Sequence, residues 1–405
     1  MAKLSSFSIN FSNDQQVYYA GQTVSGTCLV AVDEPLKARG IRVAIRGEAN
    51  VHWTETRTRK IGSGKSERTE TYTEHFRSSE IYFNLKTTLW GKDEGDRKGD
   101  NPVLPAGDHC MPFAFQLPSS GLPSSFEGKL GYIRYWLEAT IDRPWRYDFK
   151  AKHAFSVHEI INVNLPQMNV CIEDEDEKTL CCLCCQSAPL SLFAKVDRAG
   201  YCPGEGIAIT TRVQNPSNRE MRGTRARLIQ TTEFYAQASR NINKEDVAVM
   251  QGVPIQPHST GEWRNRLLKI PVIPPTTITC RIIRVTYCLE VTVVVPNSVD
   301  LSVEIPLTIG TVPLHQGVRS QAQLPVDRTA SPLPFDELPS YAEASGGPAT
   351  ISDTNEKIMG DTKFTPLYPF VRDFSFTGSE SLMTKEGQKA QRKVTERSKL
   401  LQRYS

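Results

Sequence analysis

One arrangement of residues occurs twice in this chain. Tyr19-Ala-Gly-Gln, a tyrosine with a glycine turn, opens a run of alternating apolar and polar residues, and Tyr201-Cys-Pro-Gly opens a second run of this kind. Another pair matches near the end of each copy, Tyr135-Trp-Leu-Glu-Ala and Tyr287-Cys-Leu-Glu-Val. A repeat on this scale predicts two domains of one kind, because the short units of solenoid proteins span only about 20–50 residues.

The two copies differ in length. Gly21 and Gly204 are 183 residues apart, whereas Tyr135 and Tyr287 are 152 apart, so the first copy is 31 residues longer. Residues 57–100 are polar and mixed in charge. We therefore expect the additional length to lie in this stretch.

Strand patterns dominate residues 4–310. Apolar and polar residues alternate in runs such as Ile41-Arg-Val-Ala-Ile-Arg-Gly and Leu289-Glu-Val-Thr-Val-Val-Val, and proline and glycine separate the runs. Alternation places one face of a strand in a core and the other in solvent, which is typical of antiparallel sheets. The sequence therefore predicts an all-β fold of two tandem immunoglobulin-like β-sandwiches.

Charge and composition predict the limits of these domains. The acidic run Glu173-Asp-Glu-Asp-Glu177 would not enter a core and marks the junction. We expect the first domain to cover residues 1–165 and the second to cover residues 166–312. Beyond this point strand alternation stops and the chain has no further tryptophan or cysteine, so residues 313–405 are predicted to be a disordered tail.

Composition and short motifs argue against several functional classes. The net charge is +3 with no long basic run, so we expect no nucleic-acid partner. No run approaches the ~20 apolar residues of a membrane span, and the first residues lack the apolar core of a signal peptide. We expect a soluble intracellular protein with reduced cysteines. No catalytic or phosphate-binding motif is present, so we expect no enzyme activity, catalytic residue, cofactor or metal.

Longer motifs resemble the arrestins. The end of an arrestin N-domain is similar to Leu104-Pro-Ala-Gly-Asp-His-Cys-Met-Pro-Phe-Ala-Phe-Gln-Leu-Pro and to Pro123-Ser-Ser-Phe-Glu-Gly-Lys-Leu-Gly-Tyr. The matching part of a C-domain is similar to Leu268-Lys-Ile-Pro-Val-Ile-Pro-Pro. The likeness covers roughly residues 5–315, and the group resembled most is the α-arrestins, or arrestin-domain-containing proteins. Phe364-Thr-Pro-Leu-Tyr-Pro also resembles a C-terminal element of that group.

The resemblance implies a cytoplasmic trafficking adaptor. In α-arrestins two β-sandwich domains hold a membrane receptor or transporter as cargo, and tail motifs of the Pro-Pro-x-Tyr type recruit WW domains of HECT-type ubiquitin ligases. It thus implies cargo ubiquitination, endocytic and endosomal sorting, recruitment to the plasma membrane and endosomes, and peripheral membrane association. The alternative is a retromer-type endosomal sorting scaffold, which shares the double sandwich but recruits no ligase.

Two tail segments match part of the WW-binding motif, and the resemblance gives them this role. Leu338-Pro-Ser-Tyr341 and Thr365-Pro-Leu-Tyr368 each keep one proline and the tyrosine two residues later, Pro339 with Tyr341 and Pro366 with Tyr368. Such a segment binds an aromatic groove in the extended polyproline conformation. Both lack the first proline of the strict motif. For the second segment the flanking Phe364, Pro369 and Phe370 also allow docking on a β-domain.

The run Cys181-Cys-Leu-Cys-Cys185 has several interpretations. The compartment and the neighbouring strand favour structural thiols, with S-acylation, metal binding and redox regulation as alternatives. Tetrahedral zinc sites usually use two separated cysteine pairs that wrap the ion, and these four are too close together for that arrangement.

One α-arrestin relative binds thioredoxin through a cysteine shortly before a tryptophan of the C-domain. The corresponding stretch here is Ser259-Thr-Gly-Glu-Trp263, which has no cysteine. The resemblance therefore does not extend to this activity.

Overall fold

The computed structural model describes residues 4–62, 68–96, 98–182, 185–186, 188–314, 349–350, 358–359 and 363–371. For residues 181–182, 185–186, 349–350 and 358 it describes the backbone alone.

The first domain contains eleven of the described strands. They are β1 (Leu4–Phe11), β2 (Val17–Tyr19), β3 (Thr23–Val32), β4 (Leu36–Lys37), β5 (Gly40–Ile61), β6 (Arg68–Gly91), β7 (Val103–Leu104), β8 (Gly107–Gln116), β9 (Phe126–Gly128), β10 (Gly131–Asp142) and β11 (Phe149–His158). One sheet has the order β1-β3-β8 and the facing sheet has the order β2-β11-β10-β5-β6. Short strands β4 and β7 pair with each other, and β9 pairs with β10.

The second domain contains another eleven of the described strands, after a single 3-10 turn at Pro166–Met168. They are β12 (Ile172–Lys178), β13 (Cys181–Cys182), β14 (Cys185–Gln186), β15 (Leu190–Val196), β16 (Gly200–Tyr201), β17 (Gly206–Asn215), β18 (Thr224–Ala236), β19 (Ser239–Gln251), β20 (Ser259–Lys269), β21 (Ile283–Val293) and β22 (Leu301–Ile309). Its sheets have the orders β12-β15-β17-β20 and β16-β22-β21-β18-β19.

Three short strands follow among the described residues of the tail. They are β23 (Ala349–Thr350), β24 (Ile358–Met359) and β25 (Lys363–Phe364). The first pairs with the third, and β24 adds to the first domain by pairing in parallel with β11.

The internal repeat predicted from the sequence has the same topology in both domains. Strand β2 pairs in parallel with β11 in the first domain, and β16 pairs in parallel with β22 in the second. The turn glycines Gly21 and Gly204 both have a positive φ, +83° and +92°. Only glycine adopts this region without strain, which explains a glycine at both turns.

The matching tyrosines make the same buried hydrogen bond. The hydroxyl of Tyr135 donates to the carbonyl of Pro123 (2.7 Å), and that of Tyr287 donates to the carbonyl of Pro274 (2.5 Å). Both rings are almost fully buried. Each tyrosine thus anchors a non-strand loop to the central strand of its sheet.

The additional length of the first domain lies mainly in one hairpin. Strands β5 and β6 have 22 and 24 residues, whereas their counterparts β18 and β19 have 13 each. The outer part of the longer hairpin is exposed and carries cross-strand ion pairs, such as Arg57 with Glu74 and Arg59 with Glu70. The arginines of this outer part, Arg57 and Arg59, therefore belong to a solvated hairpin.

Alternation in the sequence defines the core. Along β10 the buried side chains occupy every second position, Ile133 to Ile141, and along β22 they run from Leu301 to Ile309. The predicted all-β fold of two tandem sandwiches is confirmed. In the part of the chain that the structure describes, no helix has the length and apolar character of a membrane span.

The two sandwiches meet at a polar seam. Thr279 of the second domain donates to Glu159 of the first (2.6 Å), and the Arg281 guanidinium pairs with Glu80 (3.1 Å). The segment that leads from β11 to the second domain passes beside the end of β22. There the backbone N–H of Thr311 donates to the carbonyl of Ile161 (2.9 Å). Burial raises the pKa of the Glu159 carboxyl.

We expect Tyr135→Phe and Tyr287→Phe each to lower the free energy of unfolding by about 1–3 kcal/mol, because each leaves a buried proline carbonyl without its donor. Urea unfolding followed by circular dichroism measures the change. Tyr147→Phe is the control, since that side chain is 94 % exposed. Equal stability of all three variants and the wild type would contradict this interpretation of the repeat.

Candidate functional site

A short piece of the tail is docked on the two sandwiches. Residues 363–371, the docked segment, bury Phe364 and Tyr368 at 6 % and 0 % exposure, and the prolines Pro366 and Pro369 are buried as well. The sequence predicted disorder throughout residues 313–405. This segment differs because it has enough apolar surface to offset the entropy of ordering it.

The first domain holds the centre of the docked segment by hydrogen bonds. The backbone N–H of Leu367 donates to Ser156 Oγ (3.0 Å), and the Leu367 carbonyl accepts from His158 Nε2 (2.6 Å). The hydroxyl of Tyr368 donates to the carbonyl of Ser125 (3.1 Å). Both backbone groups of Leu367 are therefore satisfied, and the pocket recognises a tyrosine through its ring and its hydroxyl.

The second domain holds the end of the segment. The backbone N–H of Val371 donates to the carbonyl of Pro203 (2.8 Å). A Cβ atom at Gly204 would lie 2.1 Å from the Val371 carbonyl oxygen, so only glycine leaves room for the chain to pass. The segment consequently contacts both domains and spans the seam between them.

His158 is a neutral hydrogen-bond donor in the cleft, the site on the two domains that holds the docked segment. A carbonyl only accepts, so the contact with Leu367 fixes the proton on Nε2. The other ring nitrogen, Nδ1, is buried without a hydrogen-bond partner among the described residues. Tyr19 and Tyr368 lie edge-on and tilted at ring-centroid distances of 6.0 and 5.8 Å. Burial lowers the pKa of His158 from 6.5 to about 4, and the bond to Leu367 opposes this only in part.

The structure describes only the second of the two predicted WW-binding segments. Pro366 and Tyr368 lie together in the cleft, and a WW domain could not enclose either side chain without displacing the segment. Docking through the flanking aromatic residues, the alternative that the sequence allowed, is what the structure shows. Leu338, Pro339 and Tyr341 lie outside the described residues.

The residues that form the cleft were not predicted from sequence. Ser125, Ser156 and His158 belong to or adjoin strands whose alternation indicated only a core. The single signal was the serine pair in Pro123-Ser-Ser-Phe, a polar interruption of an apolar region.

The cysteine run forms a backbone hairpin. Strands β13 and β14 pair Cys182 with Cys185. The side chains of this run lie outside the described part of the chain, so its four interpretations stay predictions. Among the residues that are described, no group of three or more His, Cys, Asp or Glu could hold a metal ion.

Comparison with known proteins agrees with this architecture. Residues 7–164 match the arrestin (or S-antigen) N-terminal domain, and residues 186–314 match the arrestin C-terminal domain. Mouse arrestin domain-containing protein 4 is 33 % identical over 335 residues, which cover 80 % of this chain and 78 % of that protein. Arrestin domain-containing protein 17 of Caenorhabditis elegans is 35 % identical over 326 residues, 77 % of this chain and 72 % of that protein.

The chain belongs to the α-arrestins. Its domain content is that of an arrestin-type adaptor, and members of this family are adaptors rather than enzymes. Human thioredoxin-interacting protein is also similar, 25 % identical over 387 residues that cover 92 % of this chain and 94 % of that protein. A match of that span includes the docked segment. Trp263, the tryptophan of the stretch Ser259–Trp263, is buried on β20.

We expect docking of the segment to weaken as the pH falls. The pKa of His158 is about 4 when the cleft is occupied and near 6.5 when His158 is solvated, so the undocked form binds the additional proton. The equilibrium constant for docking is therefore at its full value above pH 6.5. Below that pH it falls by up to about tenfold per pH unit towards pH 4. Amide hydrogen exchange at Leu367 and Val371, expressed as protection factors, measures it.

His158→Gln is the matched control for this prediction. Its amide can still donate to the Leu367 carbonyl but does not titrate, so the protection factors should depend little on pH. The same pH dependence in the variant and the wild type would assign the effect to another group.

Proposed function

We propose that this α-arrestin links membrane-protein cargo to a WW-domain HECT ubiquitin ligase and so promotes cargo ubiquitination and endocytic or endosomal sorting. In this proposal the protein is cytoplasmic and is recruited to the plasma membrane and endosomes. The sandwiches bind a receptor or transporter, and the tail binds the ligase.

The observation that supports the proposal is the burial of the second Pro-x-Tyr segment in the cleft. Pro366 and Tyr368 are buried in the cleft and cannot bind a WW domain while they are docked. In this proposal Leu338-Pro-Ser-Tyr341 is therefore the primary ligase-binding segment. The buried segment becomes a second ligand only after it leaves the cleft. An adaptor with one constitutive and one conditional contact can change its affinity for a ligase without a change in sequence.

The length of the chain between the two segments determines how much the second contact adds to the affinity for the ligase. Tyr341 and Tyr368 are 27 residues apart. A released linker of this length spans roughly 30 Å, which suits two WW domains of one ligase. Each segment lacks a proline and should bind weakly alone, whereas joint binding can raise avidity by about 10²–10⁴.

Calorimetry of the full chain with a tandem WW fragment tests the proposal. We expect Tyr341→Ala to weaken binding by at least about tenfold, since it removes the primary tyrosine from its pocket. Tyr368→Ala should have a smaller effect because that side chain is buried in the docked state. The double variant should show no binding, and undiminished affinity in it would refute ligase recruitment through these segments.

Val371→Pro separates docking from motif chemistry. It removes the N–H that donates to the Pro203 carbonyl and leaves Pro366 and Tyr368 intact. We expect tighter binding of the tandem WW fragment than for the wild type, because the second segment becomes available. If the affinity for the tandem WW fragment is unchanged in this variant but lost in Tyr341→Ala, only the first segment binds the ligase.

The retromer-type alternative predicts a different result. A sorting scaffold would retain membrane cargo through its sandwiches and would show no WW binding in any variant. Affinity capture from membrane-containing lysate, with the full chain and with a chain ending at residue 335, distinguishes the two: the adaptor loses the ligase and keeps cargo.

A further inference from the structure

Two aromatic side chains stand almost fully in solvent at one end of the first domain. Trp145 is 99 % exposed and Tyr147 is 94 % exposed, both in the turn between β10 and β11. By contrast, Trp53 and Trp263 are buried. An exposed tryptophan beside an exposed tyrosine has a cost in water and usually marks a surface that contacts something else.

The backbone of the turn that carries these side chains is braced by Arg143. The Arg143 guanidinium donates from Nε to the Tyr147 carbonyl (2.8 Å) and lies over the Phe149 ring at 3.6 Å, and the Arg143 backbone N–H donates to Asp148 (3.0 Å). Trp145 itself has φ +61°, a conformation that few residues other than glycine adopt. Strain of this kind at the most exposed residue of a braced turn suggests a function.

A basic cavity opens beside the turn. It has a volume of about 460 Å³ and is lined by Pro35, Leu36, Lys37, Asn101 and residues 143–146. Lys37, Arg143 and Arg146 give it three positive charges, and none of the described residues that line it is acidic. Burial and the nearby Arg146 lower the pKa of Arg143, and the Asp148 carboxylate opposes this only in part.

Two acidic residues that flank these segments in sequence, Asp142 and Asp33, bond to groups that do not line the cavity. Asp142 pairs with Arg39 and Arg42 (2.7 and 2.9 Å), and Asp33 accepts from the Ser5 hydroxyl. Asp148 accepts the backbone N–H of Arg143. Asp142 and Asp33 therefore do not neutralise the positive charges of the cavity, whereas Asp148 offsets part of the charge of Arg143.

We propose that the turn at residues 143–147 docks on bilayers rich in anionic phospholipid, with a phosphate headgroup in the cavity of Lys37, Arg143 and Arg146. Tryptophan and tyrosine favour the headgroup region of a membrane, where the ring is in apolar surroundings and its polar atom reaches water. Basic residues beside them add attraction to anionic lipid. A membrane surface satisfies both features at once.

This inference is independent of ligase binding. Contact through the first domain would hold the adaptor on the membrane before cargo is bound, so the affinity for cargo need not supply the whole attachment. Single weak anchors bind membranes reversibly, which suits a protein that must also leave.

Flotation of the full chain with vesicles tests the proposal. We compare phosphatidylcholine alone with phosphatidylcholine containing about 30 mol % phosphatidylserine. We expect the anionic vesicles to bind at least about tenfold more protein, with the difference decreasing as salt rises. The fluorescence of Trp145 should shift to shorter wavelength with anionic vesicles, and Trp145→Phe should lose that shift. Equal binding to both vesicles, or no binding, would overturn the proposal.

Variants assign the two components. Trp145→Ala with Tyr147→Ala should reduce vesicle binding by about tenfold, and Arg146→Ala by about fivefold, since one basic residue near a membrane contributes on the order of a fivefold change. Arg264→Ala is the matched control, because that arginine of the second domain has an 86 % exposed side chain. Wild-type binding in the aromatic double variant, or an equal loss in Arg264→Ala, would overturn the assignment.

Soluble headgroup distinguishes a membrane site from a phosphate site. Inositol trisphosphate should compete weakly with anionic vesicles and should bind the wild type and the aromatic double variant equally, because it lacks the interface that the rings enter. Tight binding of the soluble compound without vesicle binding would show a phosphate-binding pocket and overturn the membrane proposal.

Discussion

In each domain, the hydrogen bond from a buried tyrosine to a proline carbonyl positions a loop whose following residues bond across the seam between the two sandwiches. Tyr135 fixes the loop at Pro123, and the residues that follow bond the first domain and the tail: Ser124 Oγ accepts the Glu159 N–H, and the Ser125 carbonyl accepts the Tyr368 hydroxyl. Tyr287 fixes the loop at Pro274 in the same way, and that loop leads to Thr279, which donates to Glu159. The two equivalent loops of the repeat thus lead to bonds with the same residue, since Glu159 contacts both Ser124 and Thr279.

The cleft combines structural and regulatory demands on one tyrosine. In the docked state Tyr368 contributes burial and a hydrogen bond to a region where both domains meet, and in the released state the same ring would occupy a WW pocket. A side chain cannot satisfy both at once. The free energy of docking is therefore subtracted from any binding of this segment to a ligase, so contacts far from the motif, such as that of Val371 with Pro203, modulate the affinity.

Periodicity predicted the fold better than it predicted the site. Alternation along β10 and β22 and the paired tyrosines identified two similar sandwiches, because burial of every second side chain is a local property of a strand. The cleft depends on residues more than 200 positions apart, such as Ser156 and His158 with Leu367. No local pattern encodes that meeting. The aromatic residues around Tyr368 allowed docking, but the partner surface became visible only in three dimensions. The exposed Trp145 was likewise indistinguishable in sequence from a core tryptophan.

The docked segment and its cleft belong to one chain, and this determines the kinetic order of their association. Capture of Tyr368 is a first-order event whose extent does not depend on the concentration of the protein, whereas any competitor for the cleft arrives by a second-order reaction. A single proteolytic cut between Leu314 and Lys363 would remove this advantage and leave the segment as a dilute ligand. Gly204 both forms the turn that opens the second copy of the repeat and leaves room for the Val371 carbonyl. The second of these roles, accommodating Val371, depends on an intact chain.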